Sequence, residues 1–190
     1  MRRFINSGST SVNGLLKLAF GVDWISEKFG LLASWAVLFA ALISAANAFV
    51  RYGFNWSSNS FTEIQWYLFA YIVMLGTSVV FNKNEHVRVD VLYSRYSTRK
   101  QVWTDILGIL FFMLPVCILL IYLSAPLFYK MLLSGEMSSN AGGLIRWPAM
   151  LAVPLGFSLL TLQGISELIK RLGWLNGSYN LSVNYEKPLQ

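Results

Sequence analysis

Gly30 to Val50 reads GLLASWAVLFAALISAANAFV, a run of 21 residues without a charge. At about 1.5 Å of rise per helical residue, such a run crosses a hydrocarbon core about 30 Å thick. Working outward, three more runs share this character. Ile64–Phe81 holds no charge and stops just before Lys83. Ile106–Tyr129 is also uncharged, although Pro115 and Pro126 interrupt it. Trp147–Ile169 carries Glu167 alone, close to its end. These four runs predict an all-α integral membrane protein with four transmembrane helices.

Composition agrees with that solvent. Of the 190 residues, 55 % are hydrophobic and only 13 % charged, against roughly 25 % charged in soluble domains. Mean hydropathy is +0.52. The seven Trp suit rings that anchor helices at headgroup level. The net charge of +6 does not point to nucleic acid, because the cations lie between apolar runs and form no continuous basic face. Counting Lys and Arg gives twelve on the N-terminal segment, the 82–105 loop and the residues after Ile169, against Arg51, Lys130 and Arg146 on the other two connections. The positive-inside rule then places both termini in the cytoplasm, and residues 51–63 and 130–146 on the periplasmic side. Asn6–Asn13, soon after Arg2 and Arg3, is polar and no cleavable hydrophobic core follows directly, so no secretory signal peptide is expected.

Three segments flank the 30–172 transmembrane domain or interrupt it. In 12–29, Leu15, Leu18, Val22, Ile25 and Phe29 recur at helical spacing, which predicts an N-terminal interfacial amphipathic helix. The 82–105 loop mixes five cations with apolar residues and suits contact with headgroups. Residues 173–190 form a polar, Asn-rich cytoplasmic tail.

No chemistry-bearing constellation stands out. His86 is the single histidine and Cys117 the single cysteine, so paired haem ligands, a multi-His or CxxC metal site and a disulfide are all ruled out within the chain. There is no Gly-rich phosphate loop and no nucleophile–base pair. The reading is a non-enzyme with no cofactor. Glu63, after Ser60 and Thr62, reads as a carboxylate at a helix N-terminus or as a contact to a partner. Gln163 and Glu167 share a helix face, a pair suited to a cation or a partner helix, or else Glu167 reads as a plain interfacial carboxylate near Lys170 and Arg171. Ala36, Ala40, Ser44 and Ala48 repeat every four residues, a stripe suited to close helix approach in lipid. That stripe serves either another subunit or the chain's own packing. Asn47 and the Gly76–Ser78 notch raise the same choice.

A family resemblance rests on Asn47, Arg51-Tyr52, Glu63, Gly76 and the box His86-Val87-Arg88-Val89-Asp90. Its second half is Ser138-Ser139-Asn140, Arg146-Trp147-Pro148, Pro154-Leu155-Gly156-Phe157 and Gln163. Over about 30–172 the chain resembles the small membrane subunit of tripartite ATP-independent periplasmic (TRAP) transporters, the DctQ type. The resemblance implies two partners, a large elevator-type membrane subunit driven by sodium and a periplasmic substrate-binding protein that captures a small organic anion. It implies a bacterial inner-membrane location and a bracing, docking role for this chain, with lipids around it. His86, Arg88 and Asp90 would form a structural cluster at the cytoplasmic face, and Arg51, Glu136 and Arg146 would be candidates for touching the periplasmic partner. The alternative from another class is a stand-alone four-helix transporter or channel working as a homo-oligomer, which would need a membrane-embedded charge.

Overall fold

In the computed structural model, residues 10–56, 58–83 and 96–180 are described, with side chains from residue 14 onward. The first helix, α1, is one uninterrupted rod from Thr10 to Phe54. Its 45 residues extend about 68 Å, more than twice a hydrocarbon core. Residues 12–29 are thus helical, and they run into the first span without a break. The buried positions explain the continuity. Leu16, Ala19, Ser26, Ala33 and Ala40 are all buried, a seam that crosses the boundary near residue 30 at near-heptad spacing. A bend there would take one half of the seam off its neighbours.

Asn55, in the left-handed region at φ 48°, turns the chain back. Ser58 then caps α2 (Asn59–Asn82), its hydroxyl accepting from the Ser60 N–H at 3.3 Å. A second rod comprises α3 (Thr98–Gly108), a π-helical turn (Ile109–Met113) and α4 (Leu114–Ser134). The wide turn lies immediately before Pro115, whose ring would clash with the carbonyl four residues back in a regular helix. Gly135, at φ 60°, ends α4 in the left-handed cap conformation. The last helix, α5, spans Trp147–Leu175 with Pro148 in its first turn.

α5 is the hub. It packs on α1, on α2 and on the α3–α4 rod, while α4 leans almost wholly on α5. α1 and α2 are antiparallel, whereas α2 and α5 run the same way. Ala33, Leu75 and Leu159 meet at the three-helix centre, with Phe29, Tyr71 and Leu155 around them. Small residues allow the close approaches. A Cβ on Gly156 would lie 2.5 Å from Met74 Cβ and 2.9 Å from its carbonyl oxygen. Gly156→Leu is therefore expected to force α2 and α5 apart and to destabilise the chain by about 1–3 kcal/mol. A thermal unfolding midpoint in detergent checks this, with an unchanged midpoint as the contrary result.

The distribution of polarity is inside-out. Leu, Phe, Val, Ile and Trp side chains dominate the exposed surface of all four long helices, while Ser26, Glu63, Ser78, Gln163, Ser166, Glu167, Lys170 and Arg171 are buried. In lipid the apolar faces point to the solvent, and polar groups collect where helices meet. The helical stretches Gly14–Phe54, Asn59–Asn82, Thr98–Ser134 and Trp147–Leu175 are each long and apolar enough to cross a membrane.

Candidate functional site

Two polar assemblies sit at opposite ends of the helices. At the tail end, where α2 and α5 finish, α5 presents Gln163, Ser166, Glu167, Lys170 and Arg171 at three- and four-residue steps on its buried face. The partners come from the other helices. Ser26 donates to Gln163 Oε1 at 2.6 Å, and Gln163 Nε2 donates to Asp23 Oδ1 at 2.9 Å. Ser166 Oγ lies 3.0 Å from both the Ala19 carbonyl and Asp23 Oδ1. Lys170 Nζ reaches the two Asp23 oxygens at 3.0 and 3.1 Å and Asn82 Oδ1 at 3.3 Å. Arg171 meets Asp105 Oδ2 through Nε at 3.2 Å and Nη2 at 3.1 Å.

Glu167 is the centre of this cluster. One oxygen forms an ion pair with Lys170, and the other accepts from Arg171 Nη1. Glu167, Lys170 and Arg171 are only 2, 4 and 4 % exposed. Burying a charge costs several kcal/mol per ion unless it is paired and hydrogen-bonded. Here three carboxylates surround two cations, and the pairs tie α1, α2, α3 and α5 together at one level. Glu167 lies beside Lys170 and Arg171 as expected and is in addition buried between helices, because Asp23 and Asp105 bring compensating partners over its cations.

At the loop end, α2 stitches down the 135–146 connection. Ser60 donates to the Gly142 carbonyl at 2.5 Å, and Asn59 to the Ala141 carbonyl at 3.1 Å. Glu63, 3 % exposed, accepts from Asn140 Nδ2 at 2.7 Å and from the Leu144 N–H at 2.6 Å. Tyr67 and Tyr71 donate to the carbonyls of Ile145 and Pro148 at 3.0 and 2.7 Å. Glu63 is thus neither first-turn residue nor cap: α2 starts at Asn59, and the carboxylate holds a loop nearly eighty residues away in sequence. The connection also braces itself, with Met137 bridged to Ile145 and Arg146 Nη1 paired with Glu136 Oε1 at 2.5 Å. Gly143 fits because a Cβ there would meet Ser138 Cβ at 2.6 Å.

The remaining expected residues scatter. Arg51 and Tyr52 are exposed on the last turn of α1, and Asn47 is half-buried one turn earlier. Glu136 and Arg146 are about half exposed as a pair. Trp147 and Pro148 open α5, Pro154 and Gly156 are buried in it, and Gly76 faces a groove between α1 and α2. Within the small stripe, Ala40 is buried and Ala36 half-buried in the chain's own packing, whereas Ser44 and Ala48 are exposed. His86, Arg88 and Asp90 lie outside the described residues. Among the described residues no group of three or more His, Cys, Asp or Glu is placed to hold a metal ion.

Asp23 and Asp105 were missed by sequence reasoning. A signal for Asp23 existed: Leu16, Ala19, Asp23, Ser26, Gly30 and Ala33 alternate steps of three and four along α1. The more hydrophobic stripe, with Leu15, Leu18 and Ile25, drew attention instead, and those three side chains face outward.

These features, an apolar exterior over four long helices and charges neutralised where helices meet, define a multi-pass all-helical membrane protein. Residues 40–173 match the family of the DctQ component of tripartite ATP-independent periplasmic transporters, and the chain belongs to it. That family is a transporter component rather than an enzyme family. A protein of Haemophilus influenzae named "Putative TRAP transporter small permease protein" is 32 % identical over 72 residues, covering 38 % of this chain and 45 % of that one. The matched stretch thus spans less than half the length of that relative. No solved structure matches the chain.

Proposed function

We propose that this chain acts as a brace. As the small permease subunit it would hold the stationary part of a large elevator-type membrane subunit and help dock a periplasmic substrate-binding protein. The transport so served is sodium-driven uptake of a small organic anion across the bacterial inner membrane. The observation that carries this reading is how the buried ionisable groups are used. Glu63 is occupied holding a loop, and Glu167, Lys170 and Arg171 are occupied holding helices. Gly30–Val50, Ile64–Phe81 and Ile106–Tyr129 contain no charge that could carry a coupling ion near the midplane. The apolar flank of α4, which among the described residues leans mainly on α5, leaves room for a partner helix.

On this reading both termini are cytoplasmic, following the distribution of Lys and Arg. The 135–146 connection, with Glu136 and Arg146 half exposed, then faces the periplasm beside Arg51, where a soluble partner arrives. The N-terminal part of α1 turns its outward Leu15, Leu18 and Ile25 toward the inner headgroup region.

Solute uptake into proteoliposomes tests the proposal, with this chain alone, with the large subunit, and with the binding protein added. Uptake is expected only when all three are present. Sodium- or proton-driven uptake by this chain alone would replace the brace with a stand-alone transporter.

A further inference from the structure

Between α1 and α2, toward the tail end, lies an open groove of about 610 Å³. That volume falls in the range of ligand clefts, about 300–1,000 Å³. Its walls are apolar: Leu31 and Val37 from α1, Ile72 and Val80 from α2. Two glycines shape it. Gly30 brings the helices together, since a Cβ there would lie 2.5 Å from Val79 Cγ2. Gly76 has nothing within 4 Å of its Cβ position, so it leaves space instead of filling a contact.

The mouth of the groove carries one charge of each sign. Because Gly30 faces Val79 in an antiparallel pair, Glu27 and Lys83 both fall one turn further toward the same end, and both line the groove. Both are exposed, and neither takes part in the ion pairs of the described residues. Trp24, well exposed, stands one turn before Lys28, whose ammonium lies 5.5 Å from the Trp24 ring centre. An outward Trp beside charged side chains marks headgroup level, and the groove descends from there along apolar helix faces.

We propose that this groove holds one acyl chain of an ethanolamine-headed phospholipid, its phosphate on Lys83 and its ammonium on Glu27. A glycerol headgroup would set the same phosphate charge on Lys83 and offer Glu27 only neutral hydroxyls. A choline headgroup would reach Glu27 without an N–H to donate. The primary ammonium satisfies both residues, since charge-assisted hydrogen bonds are the strong ones. This inference concerns the chain's own α1–α2 surface and does not depend on the bracing role.

Native mass spectrometry of the purified chain, exchanged into mixed micelles of phosphatidylethanolamine, phosphatidylcholine and phosphatidylglycerol, reads the preference directly. The wild-type chain is expected to retain phosphatidylethanolamine about tenfold over either competitor. Glu27→Gln should remove the preference over phosphatidylglycerol, and Lys83→Gln should lower retention of both. Gly76→Leu, which enters open space and leaves the fold intact, should abolish retention of all three. Equal retention of the three lipids by the wild-type chain, or retention unchanged in Gly76→Leu, would overturn the assignment. So would a Gly76→Leu chain whose lipid content is normal but which fails to co-purify with the large subunit, since the groove would then receive a protein helix.

Discussion

Glu167→Ala is expected to lower the stability of the folded chain by about 3–5 kcal/mol, the range for breaking a buried ion pair by removing one partner. The reason is the position of the carboxylate between Lys170 and Arg171. Without it, two cations face each other among buried groups, with Asp23 and Asp105 as their carboxylate partners at the outer edges. A shift of the denaturant or thermal midpoint in detergent measures the loss. The double variant Glu167→Ala with Lys170→Met should recover part of it, because the repulsion between the two cations goes with the amine. If the double variant were less stable than Glu167→Ala alone, the attraction of Lys170 to Asp23 would outweigh its repulsion from Arg171. The network would then be held by its rim and not by its centre.

Glu63→Ala is expected to release the 135–146 connection while leaving the helices assembled. The carboxylate accepts from the Asn140 amide and the Leu144 N–H, and hydrogen bonds to charged groups contribute about 1.5–3 kcal/mol each. Losing both should raise hydrogen exchange at the Leu144 amide by at least tenfold, with protease access along 135–146 rising in parallel. Glu63→Gln should fall between the two, since its amide has one acceptor oxygen for two donors. Unchanged exchange in Glu63→Ala would mean that Ser60, Asn59 and Tyr67 hold the connection unaided. On the bracing proposal, the same release should weaken docking of the periplasmic partner and leave sodium coupling intact.

The two predictions differ in how far the sequence announced them. Glu63 was visible as a carboxylate at the start of a span, and it belongs to the pattern by which the chain resembles its family. Its partners were not visible, because Asn140 and Leu144 lie 77 and 81 residues away and only the packing of α2 beside α5 brings them over it. Glu167 was visible too, but a charge near the end of an apolar run reads naturally as interfacial. Its burial depends on Asp23, a residue 147 positions from Lys170.

The sequence by itself determined the four spans, the helical class and the family, because each is a property of a segment or of a local motif. Hydrocarbon thickness sets the length of an apolar run, and that length can be counted without knowing what the run touches. Only the tertiary structure decided which face of each helix lies inside. In water the most apolar stripe is the buried one. In lipid that stripe can remain outside at no cost, so the seam is chosen by small residues and by charges that need partners. Along α1 that choice falls on Leu16, Ala19, Asp23, Ser26 and Ala33, and it turns Leu15, Leu18 and Ile25 outward. It also makes α1 a single rod, since one continuous seam spans both the expected surface helix and the first span.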